Sequence, residues 1–343
     1  MDRPPQCGCA GTRRTARSVL LLAGMAAIVS LRLVACSSAR RPVIGVIPQT
    51  DGTMIWEAAH VGAEAAARQA GTAIYWNAPT REDDVEAQIA LVEQVVDRGY
   101  QGLVLAPDQA LSLISPVRRA LAHGIPTVII GSPLPIPAGG GLFYIVNDDA
   151  AAGRMAAERL ATLLHGRGTV AVLGIDPDFM GIMTRERGFE EYLDQHDPDI
   201  HIVSRQMGSF NGPRQQQIAE ATLSSHPGLD AIVALISPSV DATLAALASM
   251  PNRQPVRVIG FDVSGLPPFD GNPGLDCVIQ ENTRLMGQKA VEDIELARRG
   301  APVPLELSVP PVMITRANIG TAAVRWMFSQ DWTLGRWTWS SSR

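Results

Sequence analysis

Residues 43–76 read VIGVIPQTDGTMIWEAAHVGAEAAARQAGTAIYW, and this stretch already indicates the fold class of the chain. It opens with the apolar run Val43–Ile47, which has the length and composition of a buried strand. Trp56–Ala70 has the pattern of an amphipathic helix, and a second apolar run, Ala73–Trp76, follows it. A helix that connects two buried strands in this way is typical of a parallel sheet covered by helices.

The same alternation of apolar runs and helical patterns continues over most of the chain. Val85, Ile89, Val92 and Val96, for example, recur at the spacing of one helix face. The predicted strands are Val43–Ile47, Ala73–Trp76, Gly102–Ala106, Thr127–Ile130, Thr169–Leu173, Ile200–Val203, Ala231–Ile236, Val256–Gly260 and Asp276–Gln280. Because these are many strands for one sheet, we predict an α/β fold with two similar lobes, each a doubly wound parallel sheet.

The composition excludes several classes of protein. The chain has 343 residues, of which 46% are apolar and 18% are charged, and this content is too apolar for a disordered chain. The formal net charge is −5, from 29 basic and 34 acidic residues. A nucleic-acid-binding protein needs a basic surface, so we predict no nucleic-acid partner.

The first residues have the pattern of an export signal. Four arginines precede the apolar stretch Val19–Leu31, which is shorter than the roughly 20 residues of a membrane span. The following Leu33-Val34-Ala35-Cys36 resembles the bacterial lipoprotein signal, which implies that Cys36 is lipidated and becomes the mature N-terminus. A twin-arginine signal at Thr12-Arg13-Arg14 and a membrane-retained N-terminal helix are the alternatives.

Polar side chains follow the predicted strands, at the sheet edge where open α/β folds bind ligands. Most are short hydrogen-bond acceptors, and two aromatic residues occur among them. They are Asp51, Thr53, Trp56, Asp108, Ser132, Asp148, Phe210, Ser237, Asp262 and Glu281. Carboxylates bind hydroxyl groups and aromatic faces cover the apolar side of a ring, so this set suits a sugar or another polyol.

These positions occur within a series of landmarks that resembles a known family. The landmarks are Ile44-Gly45-Val46-Ile47, Gly124-Ile125-Pro126-Thr127-Val128, Asn147-Asp148-Asp149, Arg185-Glu186-Arg187-Gly188-Phe189, His226-Pro227 and Ile259-Gly260-Phe261-Asp262. In order and spacing they resemble the sugar-binding periplasmic proteins of bacterial ABC transporters, of the ribose-binding type, over roughly Val43–Asn318. The resemblance implies a clamshell of two lobes joined by three crossovers, the type I periplasmic binding protein fold. It also implies a small-molecule ligand, a transporter permease as partner, no cofactor and no catalysis.

The resemblance also implies roles for individual residues. Arg185 matches an arginine that donates hydrogen bonds to sugar oxygens, and Asp262 matches an acceptor. Phe210 and Trp56 match aromatic residues that pack on the sugar, and Glu281 lies where ribose binders carry Gln. Three further predicted ligand contacts are Asp108, Ser132 and Ser237, whereas Asp148 is predicted to stabilise the lobe crossover.

Several positions depart from the pattern of the ribose binders. Thr53 replaces an Asn, Ile55 replaces a stacking Phe, and Gly131-Ser132 replaces an Asp-Arg pair. The Asn after Ala231–Ile236 is replaced by Ile236 or Ser237, depending on the register. We therefore expect a roomier site and a ligand that differs from ribose.

The resemblance and the signal pattern together predict a domain organisation. The predicted segments are 1–35, a lipoprotein signal peptide; 36–42, a linker after Cys36; 43–147 with 282–310, the N-terminal lobe; 148–281 with 311–318, the C-terminal lobe; and 319–343, a Trp-rich tail. The tail holds four of the six Trp residues. It is predicted to pack against the protein, and a partner site or a membrane surface are alternatives.

The predicted function is that of an exported, lipid-anchored solute-binding protein of the cell envelope that delivers a sugar-like ligand to an ABC importer. The alternative is a receptor that presents the ligand to a membrane sensor kinase, and neighbouring genes would distinguish the two. No nucleophile elbow, phosphate loop or dinucleotide motif is present in the sequence, so no enzyme activity is predicted. The six His residues lack metal-ligand spacing, and no metal site is predicted.

Overall fold

The computed structural model describes Met1 and residues 41–51, 55–81, 83–209, 211–250 and 254–331. The chain divides into two compact units between Arg41 and Pro42, and the described helices and strands lie in the second unit. Cys36, Thr53 and Phe210, which the sequence singles out, lie outside the described residues, as do the last three Trp residues. Within the described part, no helix is both long and apolar enough to cross a membrane.

The first lobe is built on a sheet of six parallel strands. These are β1 (Val43–Ile47), β2 (Ala73–Trp76), β3 (Gly102–Leu105), β4 (Thr127–Gly131), β5 (Leu142–Asn147) and β11 (Glu306–Val309), in the spatial order β11-β5-β4-β3-β1-β2. Its helices are α1 (Ile55–Ala70), α2 (Val85–Asp97), α3 (Ile114–Ala122) and α8 (Thr283–Arg298). Val128 and Ile130 of β4 belong to the core under α1 and α8, whereas Ile129 belongs to the core under α2 and α3. Both faces of the sheet are therefore buried, which explains its continuous apolar runs.

The second lobe repeats this architecture. Its strands are β6 (Gly168–Ile175), β7 (Ile200–Met207), β8 (Ala231–Ala234), β9 (Arg257–Phe261), β10 (Leu275–Gln280) and β12 (Val312–Thr315), in the order β12-β10-β9-β8-β6-β7. Its helices are α4 (Asp149–Leu164), α5 (Met180–His196), α6 (Gly212–Ser225), α7 (Ser237–Ser249) and α9 (Ala322–Phe328). The predicted fold class of two doubly wound lobes is thus confirmed. The list of predicted strands omitted β5, β11 and β12.

Three crossovers carry the chain between the sheets, at residues 147–149, 280–283 and 309–312. At the first two, a helix begins directly after the crossing because a side chain caps it. Asp148 Oδ1 accepts a hydrogen bond from the Ala151 N–H at 2.9 Å, and Asn282 Oδ1 accepts one from the Leu285 N–H at 3.1 Å. The third crossing leads into β12, which is antiparallel to β10 because one strand leaves the crossover region while the other runs towards it.

Glycines allow one pair of helices in each lobe to pack closely. In the first lobe, a Cβ atom on Gly62 of α1 or Gly287 of α8 would lie about 2 Å from a carbonyl oxygen of the other helix. In the second lobe, a Cβ atom on Gly153 of α4 would lie 2.0 Å from the carbonyl oxygen of Arg185 in α5. A Cβ atom on Gly188 of α5 would lie 2.5 Å from the carbonyl oxygen of Ala150. The close contact between α4 and α5 therefore sets the position of the helix turn that carries Arg185.

The C-terminal helix α9 packs against the protein. Val324 joins the apolar core of the second lobe, and Trp326 is buried with its ring 4.9 Å from the guanidinium of Arg284 in α8. Arg284 also donates hydrogen bonds to the carbonyl oxygens of Ser329 and, at 2.9 Å, Asp331. The first part of the Trp-rich tail thus contacts elements of both lobes.

We expect the substitution Gly153→Ala to lower the free energy of unfolding by about 1–3 kcal/mol, because the added methyl group forces α4 and α5 apart. Urea denaturation followed by circular dichroism measures this change. Gly228→Ala is the matched control, since Gly228 is exposed and a Cβ atom there meets no other atom within 4 Å. Equal stability of the two variants would contradict the close contact.

Candidate ligand-binding site

A cavity of about 120 Å³ lies between the two lobes. Its walls come from the ends of strands, the starts of helices and the crossovers. The lining residues are Gln49, Ile55, Trp56, Gly131, Ser132, Asn147, Asp149, Phe179, Gly181, Ile182, Arg185, Ile236, Ser237, Pro238, Asp262, Ser264 and Glu281. At roughly 10–15 Å³ for each water-sized atom, the cavity has room for about ten non-hydrogen atoms. One small molecule of monosaccharide size fits this space.

The lobes nearly meet across the cavity. Ser132 follows β4 of the first lobe, and Gly181 lies in the first turn of α5 in the second lobe. A Cβ atom on Gly181 would lie 3.0 Å from Ser132 Oγ and 2.7 Å from an Asp149 carboxylate oxygen. Even an alanine would crowd this position, so the structure shows a closed arrangement in which the cavity is bounded from both sides.

Arg185 is the centre of the polar wall. Its side chain is buried, with 3% of its surface exposed, and the guanidinium lies over the Phe261 ring at 4.5 Å. Nη1 donates to Asp262 Oδ2 at 2.7 Å and to the Leu235 carbonyl oxygen at 2.8 Å. Nε and Nη2 donate to Asp149 Oδ1 at 3.1 and 2.8 Å, and Nη2 also donates to Glu281 Oε1 at 2.9 Å.

The hydrogen-bonding capacity of Arg185 is therefore used within the protein. A guanidinium has five N–H donors, and the described partners account for all five. We predicted from the sequence that Arg185 donates to sugar oxygens. That contact stays a prediction. In this arrangement Arg185 holds three carboxylates, and a ligand would have to replace or share one of these partners to receive a hydrogen bond from it.

The three carboxylates come from different elements. Asp149 is the first residue of α4, next to the capping residue Asp148. Asp262 follows β9 in a left-handed conformation with φ 53°, and its Oδ1 accepts a hydrogen bond from the Glu281 N–H at 2.9 Å. Glu281 follows β10 at the second crossover. The cluster therefore joins the ends of two strands to the starts of two helices.

Burial dominates the electrostatics of the cluster. It raises the pKa of Glu281 well above that of an ordinary Glu, and the nearby carboxylates of Asp262 and Asp149 raise it further, against the effect of Arg185. Burial also raises the pKa of Asp262, although Arg185 opposes the shift. Burial alone would lower the pKa of Arg185, but the three carboxylates outweigh it and raise this pKa, so the guanidinium stays charged.

Six of the predicted ligand-binding residues line the cavity, namely Trp56, Ser132, Arg185, Ser237, Asp262 and Glu281. Their contact with a ligand stays a prediction. Thr53 and Phe210 lie outside the described residues, and Asp148 caps α4 at the first crossover. Sequence reasoning missed Asp149. Its position in Asn147-Asp148-Asp149 could have indicated it, because Asp148 caps the helix and Asp149, the second acid, lines the cavity. It also missed Gln49, Asn147 and Phe179.

Asp108 is the one described member of the predicted ligand set that lies away from the cavity lining. It is buried in the first lobe, where its N–H donates to Gln88 Oε1 at 2.9 Å and its Oδ2 has no hydrogen-bond partner among the described residues. Burial, together with the charges of Asp83 and Asp176, raises the pKa of Asp108 to about 6. Asp108 thus shows that a polar residue after a strand need not line the cavity.

A family model described as a periplasmic binding protein domain matches residues 44–265, which is more than half of the chain. The chain therefore belongs to the family of periplasmic binding proteins. The relatives that it resembles are named as binding proteins, in agreement with the prediction that it is not an enzyme.

Three curated relatives show the degree of similarity. The chain is 26% identical over 191 residues to a D-ribose/D-allose-binding protein of Pseudomonas aeruginosa, a match that covers 53% of this chain and 57% of the relative. It is 26% identical to a D-apiose import binding protein of Paraburkholderia graminis, with 70% and 77% covered. It is 27% identical to a xylitol-binding protein of Mycolicibacterium smegmatis, with 55% and 53% covered. The chain thus aligns with little more than half the length of the first and third.

Solved structures share the fold. A carbohydrate transporter solute-binding protein from Agrobacterium radiobacter, in complex with D-arabinose, superposes with a TM-score of 0.76 at 19% identity, over 85% of this chain and 100% of that chain. A periplasmic solute-binding protein from Actinobacillus succinogenes with bound D-allose superposes with a TM-score of 0.74 at 20% identity, over 81% and 99%. Because the sequence identities are only 19% and 20%, the likeness establishes the type I fold alone.

We expect Arg185→Ala to lower the free energy of unfolding by about 3–5 kcal/mol, because it leaves three carboxylates buried around an empty space. Arg205→Ala is the matched control. Arg205 is half exposed and binds Glu190 at 2.7 Å, so its loss is expected to cost about 1 kcal/mol or less. Urea denaturation at pH 7 compares the two variants. A small, equal effect of both would contradict the central role of Arg185.

We expect Asp108→Asn to reduce the loss of stability as the pH rises. In the folded protein Asp108 keeps its proton up to a pKa of about 6, whereas in the unfolded chain it titrates near 3.8. The folded state therefore binds more protons in this range, and the stability that this proton gives is lost as the pH rises from about 4 to above 6. Thermal unfolding at pH 4.5 and pH 7.5 measures the difference. Parallel pH dependences in wild type and variant would rule out a titrating Asp108.

Proposed function

We propose that this protein binds a sugar or a sugar-like polar metabolite between its two lobes and delivers it to an ABC importer. The closed cavity supports this proposal most directly, because it combines a size of about 120 Å³ with convergent polar groups from both lobes. The names of the relatives agree with it, since they include ribose, allose, apiose and xylitol as ligands of those proteins.

The lining residues have the chemistry that a polyol requires. Asp149, Asp262 and Glu281 present carboxyl oxygens that accept hydrogen bonds from hydroxyl groups, and Ser132 and Ser237 both donate and accept. Trp56 and Phe179 provide aromatic surface for the C–H face of a ring. Few polar groups among apolar walls are typical of sites that orient one small ligand.

The proposed mechanism is a shift between open and closed lobes. A ligand that contacts Trp56 and Ser132 in the first lobe and Ser237 and Asp262 in the second gains all its contacts only when the lobes are closed. Because it binds the closed form better, it increases the population of that form. The importer then distinguishes the loaded protein by its closed shape.

Export and lipid anchoring are part of the same proposal. The signal pattern before Cys36 supports delivery to the periplasm and attachment to the membrane through a lipid on Cys36. The lobes proposed from the sequence are residues 43–147 with 282–310 and residues 148–281 with 311–318. Presentation of the ligand to a membrane sensor kinase, rather than to an importer, stays the alternative prediction.

Isothermal titration calorimetry against a panel of pentoses, hexoses and pentitols tests the proposal. We expect at least one compound to bind. Trp56→Ala is expected to weaken that binding by at least about tenfold, or about 1.4 kcal/mol, because the bound compound loses its contact with the indole ring. Trp76→Ala is the matched control, since Trp76 stacks on His60 at 4.2 Å and does not line the cavity. Absence of binding across the panel would contradict the proposed function, and unchanged affinity in Trp56→Ala would contradict the placement of the site.

A further inference from the structure

The described lining of the cavity carries an unbalanced charge. It includes three acidic side chains, Asp149, Asp262 and Glu281, but a single cationic one, Arg185, and no Lys or His. All four lie within one hydrogen-bonded cluster, with N–O distances of 2.7 to 2.9 Å for the ion pairs. If every carboxyl group is ionised, the cluster has two more negative than positive charges. Buried charges need a partner, so this excess has to be compensated.

The cluster is unsuited to an anionic ligand. The five N–H donors of Arg185 are occupied by Asp149, Asp262, Glu281 and the Leu235 carbonyl oxygen. A carboxylate or phosphate group on the ligand would therefore meet three acidic side chains and no available cation among the described lining residues. Sugar acids and sugar phosphates are disfavoured for this reason.

Two sources of positive charge would each reduce this excess by one unit. One is a proton on Glu281, whose pKa burial and the neighbouring Asp262 raise well above its ordinary value. The other is a cationic group on the ligand itself. The second source gains from the aromatic rings of Trp56 and Phe179 in the same cavity, because aromatic faces attract cations, most strongly where water is excluded.

We propose that the ligand of this cavity is a polyhydroxylated amine, such as an amino sugar, whose ammonium group offsets part of the excess negative charge of Asp149, Asp262 and Glu281. This inference rests on the proposed function and adds the chemical class of the ligand. The ammonium group adds one positive charge beside the three carboxylates, and a neutral sugar of the same shape does not. The site is therefore expected to prefer the amine over the neutral sugar.

Matched pairs of sugars test the proposal on the whole folded protein. The pairs are glucose with glucosamine, galactose with galactosamine, and mannose with mannosamine, and glucuronate serves as the anionic probe. Calorimetric titration at pH 7.5 is expected to show at least tenfold tighter binding of the amine in at least one pair, and no binding of glucuronate.

Glu281→Gln separates the charge from the shape of the site. This variant keeps the size of the side chain but removes one carboxyl group, so the preference for the amine is expected to fall at least tenfold. Glu57→Gln is the matched control, because Glu57 is a partly exposed acid that does not line the cavity. It is expected to keep the preference.

The outcomes distinguish this inference from the proposed function. If a neutral sugar binds as tightly as its amine or more tightly, the inference is wrong and the proposed function stands. If none of the six paired sugars binds while a pentose or pentitol does, the inference is likewise wrong. If Glu281→Gln keeps the preference for the amine, then the cluster is not the source of the selectivity and the inference is also overturned.

Discussion

The buried guanidinium of Arg185 organises the centre of this protein. It holds the start of α4 through Asp149, the end of β9 through Asp262 and the end of β10 through Glu281. Removal of Arg185 would leave three largely buried carboxylates without their cation. The cluster thereby fixes the geometry of the polar wall against which a ligand must fit.

The position of this cluster connects the site to the fold. Asp149 and Glu281 lie at two of the three crossovers, and Asp262 accepts a hydrogen bond from the backbone of Glu281. The charged groups are thus attached to the segments that join the lobes rather than to a loop of one lobe. Because parallel strands end at the same edge of each sheet, the two sheets bring their ligand-facing ends together at these crossovers. Close packing of α4 on α5 at Gly153 then holds Arg185 in reach of its partners.

Much of the fold was predictable from the sequence, but the interior strand β5 and two of the four edge strands were missed. Central strands such as Thr127–Gly131 are buried on both faces and read as continuous apolar runs. By contrast, the missed edge strands Glu306–Val309 and Val312–Thr315 have only four residues each and are mostly half-buried or exposed, so their apolar pattern is short. In the site, Asp108 and Asp262 both follow apolar runs, yet only Asp262 lines the cavity. Local pattern does not distinguish them, because the direction of each side chain depends on the conformation of the loop after its strand.

The sequence by itself determined the order of strands and helices and the presence of polar residues at strand ends. These properties depend on local periodicity and on short-range capping, as at Asp148 and Asn282. Only the tertiary structure decided which charges meet. Arg185 is separated from Asp149, Asp262 and Glu281 by 36, 77 and 96 residues, and these residues and Leu235 satisfy all five of its N–H groups. Hydrogen-bond partners and burial are properties of the assembled lobes, so the saturation of Arg185 and the excess of negative charge emerge only when the chain is folded.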